Sequence, residues 1–507
     1  MRVLVVNFQS MRAKRTSFWL LLEEIDPDII IGSETWLYPA VYEREILPAG
    51  YHVISRRDRT QDRHGGVIIA SKETIIGTDL NVSTSAEFTN ASFICRGKDP
   101  LIIASMYRPP NSDLSYTEEA CTQFRQLHLS YPNSTIWLAG DINLPDIDWD
   151  RNTISSNSYS KQISQAFLDA VMDTGSEQMV DFPTRGNNTL DLFLTNRPSL
   201  IERCKPLPGI SDHEAVFIQA RSTAARLKPS PRKILLWKNA NTTEISSAIL
   251  DFSRDYTSRY TKETNINILW KTFRDFVETS LQTHVPSKMT SSRFNQPWIS
   301  QKTKRLSRRK KRAYLRARST RSEADKLLYK QACKETQHEC RWPYNTYIRD
   351  MVTTDRNPKK LYTLVKSKRC DSCGISPLKQ DGLAHSDPTT KATILNDQFC
   401  SVFTSEDSTQ IPSPGDTHFP DMPSFTIGEE GTRKLLANLD PHKATGPDTI
   451  PTKFLKDYAQ ELAPVLTLLF SASLDQGEVP LDWKHANVIP IFKKVTAVTP
   501  PTTGLSH

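Results

Sequence analysis

The sequence predicts an α/β domain over residues 1–221, followed by a mostly helical and basic region. Short apolar runs alternate with stretches in which apolar residues recur at helical spacing, and this alternation ends near residue 221. Polar residues follow several of the apolar runs, where strands would end in loops. Because such loops commonly carry functional sites, chemistry is expected at the strand ends of this domain.

Each predicted element has its own signal. Residues 2–6 form a short apolar strand pattern, and residues 28–32 include three consecutive isoleucines, typical of a buried strand. Residues 17–25 carry apolar side chains at helical spacing, and Asp26-Pro27 closes that helix. Further strands are predicted at residues 66–70, 102–107, 136–139, 190–195 and 215–220, and further helices at residues 117–130 and 161–173.

Charge divides the chain into two parts. Residues 1–220 contain 20 Lys and Arg against 28 Asp and Glu, a net charge of −8, which leaves +16 for residues 221–507. Acidic side chains in the first part suit hard cations, and the basic second part suits a polyanion. The apolar runs fall well short of the ~18 residues of a membrane span. Eight scattered cysteines do not resemble a disulfide framework, so membrane-spanning and secreted proteins are disfavoured.

The length of 507 residues predicts about three domain-sized pieces. Four prolines bracket a change in composition between residues 206 and 231. Residues 302–321 then hold eleven Lys and Arg and no acid, which is consistent with a solvated helix face, a nuclear import signal or a nucleic-acid contact. The predicted pieces are 1–221 (α/β domain), 222–368 (helical basic connector), 369–426 (Pro/Ser-rich linker), 427–494 (compact, mostly helical) and 495–507 (tail).

Polar residues at the predicted strand ends form a candidate site. They are Asn7, Glu34, Tyr107, Asp141, Asn143, Asp212 and His213. Hydrolysis of a phosphodiester needs a cation, a base for water and donors to the phosphate, and this set could supply all three. Taken singly, each residue is equally consistent with an ordinary turn or a solvated loop position.

Seven short motifs together resemble the endonuclease/exonuclease/phosphatase superfamily, and more narrowly the AP-endonuclease-like domain of LINE-type (non-LTR, jockey-like) retrotransposon polyproteins. The resemblance covers residues 1–220 almost end to end and implies a four-layer sandwich, two packed β-sheets flanked by helices. The motifs are Val6-Asn7-Phe8-Gln9-Ser10, Ser33-Glu34-Thr35-Trp36-Leu37, Gly65-Gly66-Val67, Tyr107-Arg108-Pro109-Pro110, Gly140-Asp141-Ile142-Asn143, Leu190-Asp191-Leu192-Phe193 and Ser211-Asp212-His213.

The resemblance implies a metal site. Asn7 and Glu34 would organise Mg²⁺, with Mn²⁺ as an alternative, and Asp212 would help to bind it. Asp141 would orient or activate the attacking water.

The resemblance also implies residues that hold the phosphate. Asn143 and Tyr107 would bind it, and His213 would donate a hydrogen bond to the transition state. Asp191 would fix the tautomer and orientation of His213.

The basic half of the chain favours a nucleic-acid substrate, because affinity for nucleic acid comes mainly from phosphate neutralisation. The expected activity is Mg²⁺-dependent nicking of one DNA strand to leave a 3′-hydroxyl. A phosphatase or phosphodiesterase acting on a small molecule or lipid headgroup, and a silent nucleic-acid-binding remnant, stay open as alternatives. DNA is the expected partner, RNA an open one, no membrane is expected, and the nucleus is favoured over the cytoplasm. The residues expected to contact nucleic acid are Arg108, Lys304, Arg305, Arg308, Arg309, Lys310, Lys311 and Arg312.

Residues 427–494 resemble the opening of a LINE-type reverse transcriptase, through the segments 439–451 and 480–494. This resemblance implies part of a fingers subdomain, expected to be marginally stable without the palm. No Asp-Asp dipeptide occurs in the sequence, so polymerase activity is not expected. Residues 495–507 do not resemble the family, and a frameshift near Lys494 is one hypothesis for them. Cys370 and Cys373 are expected to be free thiols rather than zinc ligands.

Overall fold

Two six-stranded β-sheets dominate the first 220 residues. The strands are β1 (Arg2–Asn7), β2 (Ile29–Ser33), β3 (Tyr51–Arg57), β4 (Val67–Lys72), β5 (Gly77–Asp79), β6 (Glu87–Phe93), β7 (Leu101–Tyr107), β8 (Thr135–Asp141), β9 (Ile147–Asp148), β10 (Thr153–Ile154), β11 (Glu177–Gln178), β12 (Asp191–Thr195), β13 (Ile201–Leu207) and β14 (Ala215–Ala220). The first sheet has the order β13-β14-β1-β2-β4-β3, and the second has the order β11-β12-β8-β7-β6-β5. Both are mixed, because β1 pairs with β2 and β7 with β8 in parallel while the other neighbours are antiparallel.

The alternation of side chains along the strands builds a layered core. On β1, Val3 and Val5 belong to the cluster between the sheets, whereas Leu4 and Val6 belong to the cluster on the outer face. The outer faces are covered by α1 (Arg15–Ile25) and the short α2 (Glu43–Ile46) on the first sheet and by α3 (Leu114–Ser130) and α4 (Lys161–Asp173) on the second. The predicted fold of two packed sheets flanked by helices is therefore confirmed.

The computed structural model describes residues 1–60, 62, 64–96, 99–155, 158–226, 233–289, 296, 298–353, 362, 365, 378–380, 383–385, 388–403, 426–488 and 490. The chain divides into two compact units. The first unit comprises Met1–Pro229, Arg293–Leu378 and Ala384–Lys391, and the second unit comprises Ser230–Ser292, Lys379–Leu383 and Ala392–His507. The helical connector predicted at 222–368 is thus divided between the units.

Two long helices complete the first unit. α7 (Gln301–Thr320) and α8 (Glu323–Thr353) pack against each other and against the sandwich. Trp298 and Tyr344 pack against Trp19 of α1, the first tilted and the second edge to face, with ring centroids 5.4 and 6.4 Å away. Lys304 forms an ion pair of 2.5 Å with Glu23. The basic segment therefore belongs to the same compact body as the predicted site.

The second unit is a helical bundle with one apolar core. It contains α5 (Thr242–Arg259), α6 (Ile266–His284), α10 (Glu429–Ala437), α11 (Thr452–Asp457) and α12 (Ala459–Gln476), with a two-stranded ribbon of β15 (Lys233–Leu235) and β16 (Ser287–Met289). The helix α9 (Pro388–Ser401) begins in the first unit and belongs to the second unit from Ala392 onward. Ile249, Phe273 and Leu469, from α5, α6 and α12, are fully buried together. The segment that resembles the start of a reverse transcriptase thus has a core partner in α5 and α6, which the sequence analysis did not anticipate.

Part of the predicted linker is ordered into a helix, because α9 and a short hairpin of β17 (Leu378–Gln380) and β18 (Leu383–His385) fall within residues 369–426. Cys370, Cys373 and the tail 495–507 lie outside the described residues. Within the described part of the chain, no helix combines the length and apolar character needed to cross a bilayer.

The shared core of the second unit leads to a stability prediction. Leu469→Ala removes a fully buried side chain of α12, and we expect it to destabilise this unit by about 2–5 kcal/mol. Leu474→Ala, on the same helix, is the control, because Leu474 is 42% exposed. Hydrogen exchange of the full chain, followed by mass spectrometry, should show faster exchange in peptides from α5, α6 and α12 for Leu469→Ala alone. Unchanged exchange in α5 and α6 would contradict the shared core.

Candidate active site

Strand ends from both sheets meet around one buried amide. Asn7 ends β1, Glu34 follows the parallel strand β2, and Asp141 ends β8 in the other sheet. The Asn7 Nδ2 group donates to Glu34 Oε1 at 2.9 Å and to Asp141 Oδ2 at 2.8 Å. Asn7 and Asp141 are almost fully buried. The amide therefore holds two carboxylates from different sheets close together.

The local backbone makes this approach possible. Gly140, immediately before Asp141, has a φ of 143°, and a Cβ at this position would collide with the carbonyl oxygen of Met106 on the neighbouring strand. Glu34 has a φ of 49°, a left-handed conformation that is uncommon for a residue with a side chain. The turn after Glu34 is held by hydrogen bonds from Thr35 and Trp36 to residues 66 and 65.

His213 lies on the loop that precedes β14, and Asp191 begins β12 directly opposite Asp141. The His213 Nδ1 is 2.7 Å from Asp191 Oδ2, and its Nε2 is 3.9 Å from Asp141 Oδ2. Burial alone would lower the pKa of His213, but the hydrogen bond to Asp191 and the charges of Asp191 and Asp141 raise it to about 9. At neutral pH the ring is therefore an imidazolium, with Nδ1–H donated to Asp191.

The cluster fits a divalent cation. Ligand atoms of Glu34, Asp141 and His213 all lie within 4.8 Å of one another. Burial raises the pKa of Asp141, and the nearby charges of Asp191 and Glu34 raise it further. Asp141 Oδ1 has no hydrogen-bond partner among the described residues. A cation bound by Glu34 and Asp141 would satisfy this oxygen and offset the repulsion between carboxylates, and oxygen ligands suit Mg²⁺.

Asp212 lies outside this cluster. Its side chain is 43% exposed and forms an ion pair of 2.7 Å with Arg185, while the Gln9 side-chain amide donates to its other oxygen. Asn7 Oδ1 accepts a hydrogen bond from the Gln9 backbone, so Asn7 orients the two carboxylates in this arrangement. Metal ligation by Asp212 and Asn7 stays a prediction.

Tyr107 ends β7 beside the carboxylates. Burial raises the pKa of its phenol, and the charges of Glu34 and Asp141 raise it further, so the hydroxyl stays protonated and can donate a hydrogen bond. The Arg59 guanidinium lies over the ring, 5.6 Å from its centroid. Asn143 has a φ of 52° and donates its side-chain amide to the Arg108 carbonyl.

Arg108 does not occupy the surface position expected of a phosphate contact. Its side chain is fully buried and donates to Thr117 Oγ1 at 3.1 Å and to the carbonyls of Ser112 and Asn143 at 3.0 and 3.3 Å. Since all these partners belong to the protein, Arg108 braces the loop of Asn143. Contact of Arg108 with nucleic acid stays a prediction, and the structure adds this bracing role to it.

Thr184 is a site residue that the sequence analysis missed. Its Oγ1 accepts hydrogen bonds from the backbone N–H groups of Leu190 and Asp191, both at 3.0 Å. Its carbonyl accepts the N–H of Glu214, the residue after His213, at 2.7 Å. Thr184 thus fixes the spacing of the Asp191–His213 pair. A single threonine after a proline gives no sequence signal for this role.

Helix α7 holds the loop that carries His213. Tyr314 Oη and Arg318 Nη1 donate to the Glu214 carboxylate at 2.7 and 2.5 Å, and Lys310 Nζ donates to the Gly209 carbonyl at 3.0 Å. Gly209 must lack a side chain, because a Cβ there would collide with the His213 carbonyl oxygen. The inner face of α7 is therefore a support of the active-site loop.

The opposite face of α7 is exposed. Lys304, Lys310 and Lys311 are half-buried, whereas Arg305, Arg308, Arg309 and Arg312 are exposed. Of these arginines, Arg309 forms an ion pair of 2.9 Å with Glu335 on α8. The predicted nucleic-acid residues of this helix thus divide between a supporting face and a solvent face.

Residues 101–217 match the family described as endonuclease-reverse transcriptase. The matched segment is less than a quarter of the 507 residues. It contains these residues of the candidate site: Tyr107, Asp141, Asn143, Thr184, Asp191, Asp212 and His213. An endonuclease/exonuclease/phosphatase domain in this part of the chain, expected from the motifs, is confirmed at this level. No curated protein matches the chain.

Several solved structures are similar to this chain. One is the endonuclease domain of TRAS1, a telomere-specific non-LTR retrotransposon, with 17% identity over 43% of this chain and 98% of that one and a TM-score of 0.33. Another is the catalytic domain of APE2 from Xenopus laevis, with 14% identity over 45% and 94% and a TM-score of 0.34. A third is an AP endonuclease from Archaeoglobus fulgidus, with 17% identity over 44% and 99% and a TM-score of 0.33.

The geometry of the cluster formed by Glu34, Asp141 and His213 predicts which carboxylates bind a metal ion. Asp141→Asn removes a buried charge from the cluster, and we expect it to weaken Mn²⁺ binding by about tenfold or more, measured by isothermal titration. Asp212→Asn should have a smaller effect, because Asp212 is paired with Arg185 outside the cluster. The exposed Asp150, changed to Asn, is the control for net charge. Equal losses for Asp141→Asn and Asp212→Asn would place Asp212 among the ligands.

The support from α7 predicts a change in loop stability. Tyr314→Phe combined with Arg318→Met removes both donors to Glu214, and we expect about tenfold faster hydrogen exchange in the peptide containing residues 209–216. Arg316→Met is the matched control, because Arg316 lies on the same helix and pairs with Asp325 instead. If the control accelerates exchange in this loop as much as the double variant does, the support is not specific.

Proposed function

We propose that the chain is a Mg²⁺-dependent DNA endonuclease that hydrolyses one phosphodiester and leaves a 3′-hydroxyl. The observation that carries the proposal is the convergence of four separate chain segments on one buried point. Glu34, Asp141, Asp191 and His213 meet there, and three of their atoms, Asp141 Oδ1, Asp191 Oδ1 and His213 Nε2, are buried without a hydrogen-bond partner among the described residues. Polar atoms buried without partners are costly, so a site that keeps them is suited to a ligand.

The residues have distinct roles in the proposed reaction. A bound Mg²⁺ would neutralise charge that develops on the phosphate. Asp141 presents a carboxylate oxygen that can accept a hydrogen bond from the attacking water. His213 has an Nε2 without a partner among the described residues and donates to a phosphate oxygen, while Asp191 holds the ring in place. The protonated hydroxyl of Tyr107 supplies a second donor.

Two features support nucleic acid as the substrate. The family matched by residues 101–217 is described as endonuclease-reverse transcriptase. The exposed arginines of α7 lie in the same compact unit as the site, and arginine presents donors that match phosphate oxygens. We also propose that residues 427–494 correspond to the start of a reverse transcriptase.

The test is nicking of supercoiled plasmid by the full chain with Mg²⁺. Asp141→Ala and His213→Ala should each lower the nicking rate by about 10²–10⁴-fold, because each removes a group that handles a proton or a phosphate oxygen. Asp150→Ala, at an exposed position of the same domain, should keep the unmutated rate. Removal of the metal with EDTA should abolish nicking and leave DNA binding in place.

The outcome that contradicts the proposal is equally direct. If plasmid stays intact with the unmutated protein while inositol phosphates or lipid phosphodiesters are hydrolysed, the chain is a phosphatase or phosphodiesterase. If plasmid binds and none of these substrates is hydrolysed, the chain is a silent nucleic-acid-binding protein.

A further inference from the structure

A cleft of about 930 Å³ lies between the sandwich and the α7–α8 helix pair. One wall comes from α1 and the loop before it, a second from the loop 207–214, and a third from the facing sides of α7 and α8. Asp212 and His213 are among the lining residues. The cleft therefore borders the candidate active site and belongs wholly to the first unit.

Lysines dominate the charge of this cleft. The lining includes five of them: Lys14, Lys310, Lys311, Lys330 and Lys334. It includes three acids, Glu24, Asp212 and Glu214, and two of these already pair with arginines. Lys330 and Lys334 are exposed on α8 and form no ion pair with another described residue. The cleft thus has an excess of positive charge that the described side chains do not balance.

A neighbouring cluster adds to this potential. Burial lowers the pKa of Lys205, and the charges of Lys311 and Arg203 lower it further. Like charges held this close repel one another, and a bound polyanion would relieve the repulsion. Lys311 belongs both to this cluster and to the lining of the cleft.

The lining carries polar groups between the lysines. Ser17 and Gln331 contribute a hydroxyl and an amide. Hydroxyls, amides and ammonium groups are the donors that contact phosphates and sugars in protein–nucleic acid interfaces. Apolar side chains such as Leu21, Ile25 and Ile210 also line the cleft, so the preference for a phosphodiester backbone over an acyl chain rests on the lysines.

We propose that this cleft binds the phosphate backbone of the DNA strand beyond the phosphate that is cut. The proposal rests on the proposed endonuclease function, and it assigns to α8 and to Lys14 a role in substrate binding. The α7–α8 pair then has two roles. The inner face of α7 supports the His213 loop, and the side of the pair that faces the cleft binds the DNA. The substrate footprint extends past residue 221, onto the helices that follow the sandwich.

The test compares two double variants of the full chain with the same change in net charge. Lys330→Glu with Lys334→Glu reverses charge in the cleft without touching the His213 loop. Lys238→Glu with Lys271→Glu reverses two exposed lysines of the second unit. Binding of a short labelled DNA duplex is measured by fluorescence anisotropy in EDTA over a range of KCl concentrations. The cleft variant should flatten the slope of log K against log salt by about 2, near 0.9 for each lost phosphate contact.

Two activity readouts separate the cleft from the catalytic site. The cleft variant should nick plasmid more slowly at limiting DNA and hydrolyse bis(p-nitrophenyl) phosphate at the unmutated rate, because that small diester at His213 does not extend to Lys330 and Lys334 on α8. If the slope of log K against log salt for the cleft variant equals that of the control variant, the proposal is overturned. A loss of affinity for an RNA duplex without a loss of affinity for DNA would overturn it as well. If the unmutated protein hydrolyses neither substrate, the endonuclease proposal fails and the binding slopes still decide the cleft.

Discussion

One buried amide, that of Asn7, is the constraint on which the candidate site depends. Its Nδ2 group is the bridge between Glu34 at the end of one sheet and Asp141 at the end of the other. Two carboxylates in a buried setting repel each other and lose hydration, so their approach needs compensating donors. Asn7 supplies neutral donors from inside the fold, and the His213 imidazolium supplies positive charge from the opposite side. The packing of two sheets is thereby coupled to the geometry of a metal-binding cluster.

Most of the central strands could be predicted from the sequence, because they are buried on both faces and are apolar along most of their length. The central strand β6 could not, because Glu87, Thr89 and Asn90 interrupt its apolar residues. Two edge strands, β3 and β13, could not be predicted either. β3 contains His52, Arg56 and Arg57, and β13 contains Pro206, which the sequence analysis had used as a sign of a domain boundary. Both strands end a sheet, where one side needs no partner and polar residues or proline are tolerated. The polar residues and the proline of these two strands therefore reflect their position at the edge of a sheet more than the strand propensity of their residues.

The residues of the candidate site could likewise be predicted from the sequence only in part. Residues at the ends of buried strands were found because the strand pattern places them, and the motifs gave each a role. Thr184 and the contacts of Glu214 with α7 were missed, because no sequence pattern marks their hydrogen bonds, and those of Glu214 join residues 100 or more positions apart. The burial of Arg108 could not be predicted either. Neighbouring residues at a strand end point in opposite directions, and the sequence does not say which direction faces solvent.

The loop of His213 shows why a helix 100 residues later belongs to the body that carries the candidate site. The hydrogen bond from His213 to Asp191 raises the pKa of the imidazole to about 9, so the position of the loop decides the charge of the ring. Ser211 anchors it by donating to the Asn7 carbonyl, and Thr184 anchors it through the Glu214 backbone. Neither of these anchors contacts the Glu214 side chain. Among the described elements, α7 alone donates hydrogen bonds to the Glu214 carboxylate. The boundary near residue 221 thus separates two compositions of sequence, whereas the structural support of the site continues across it.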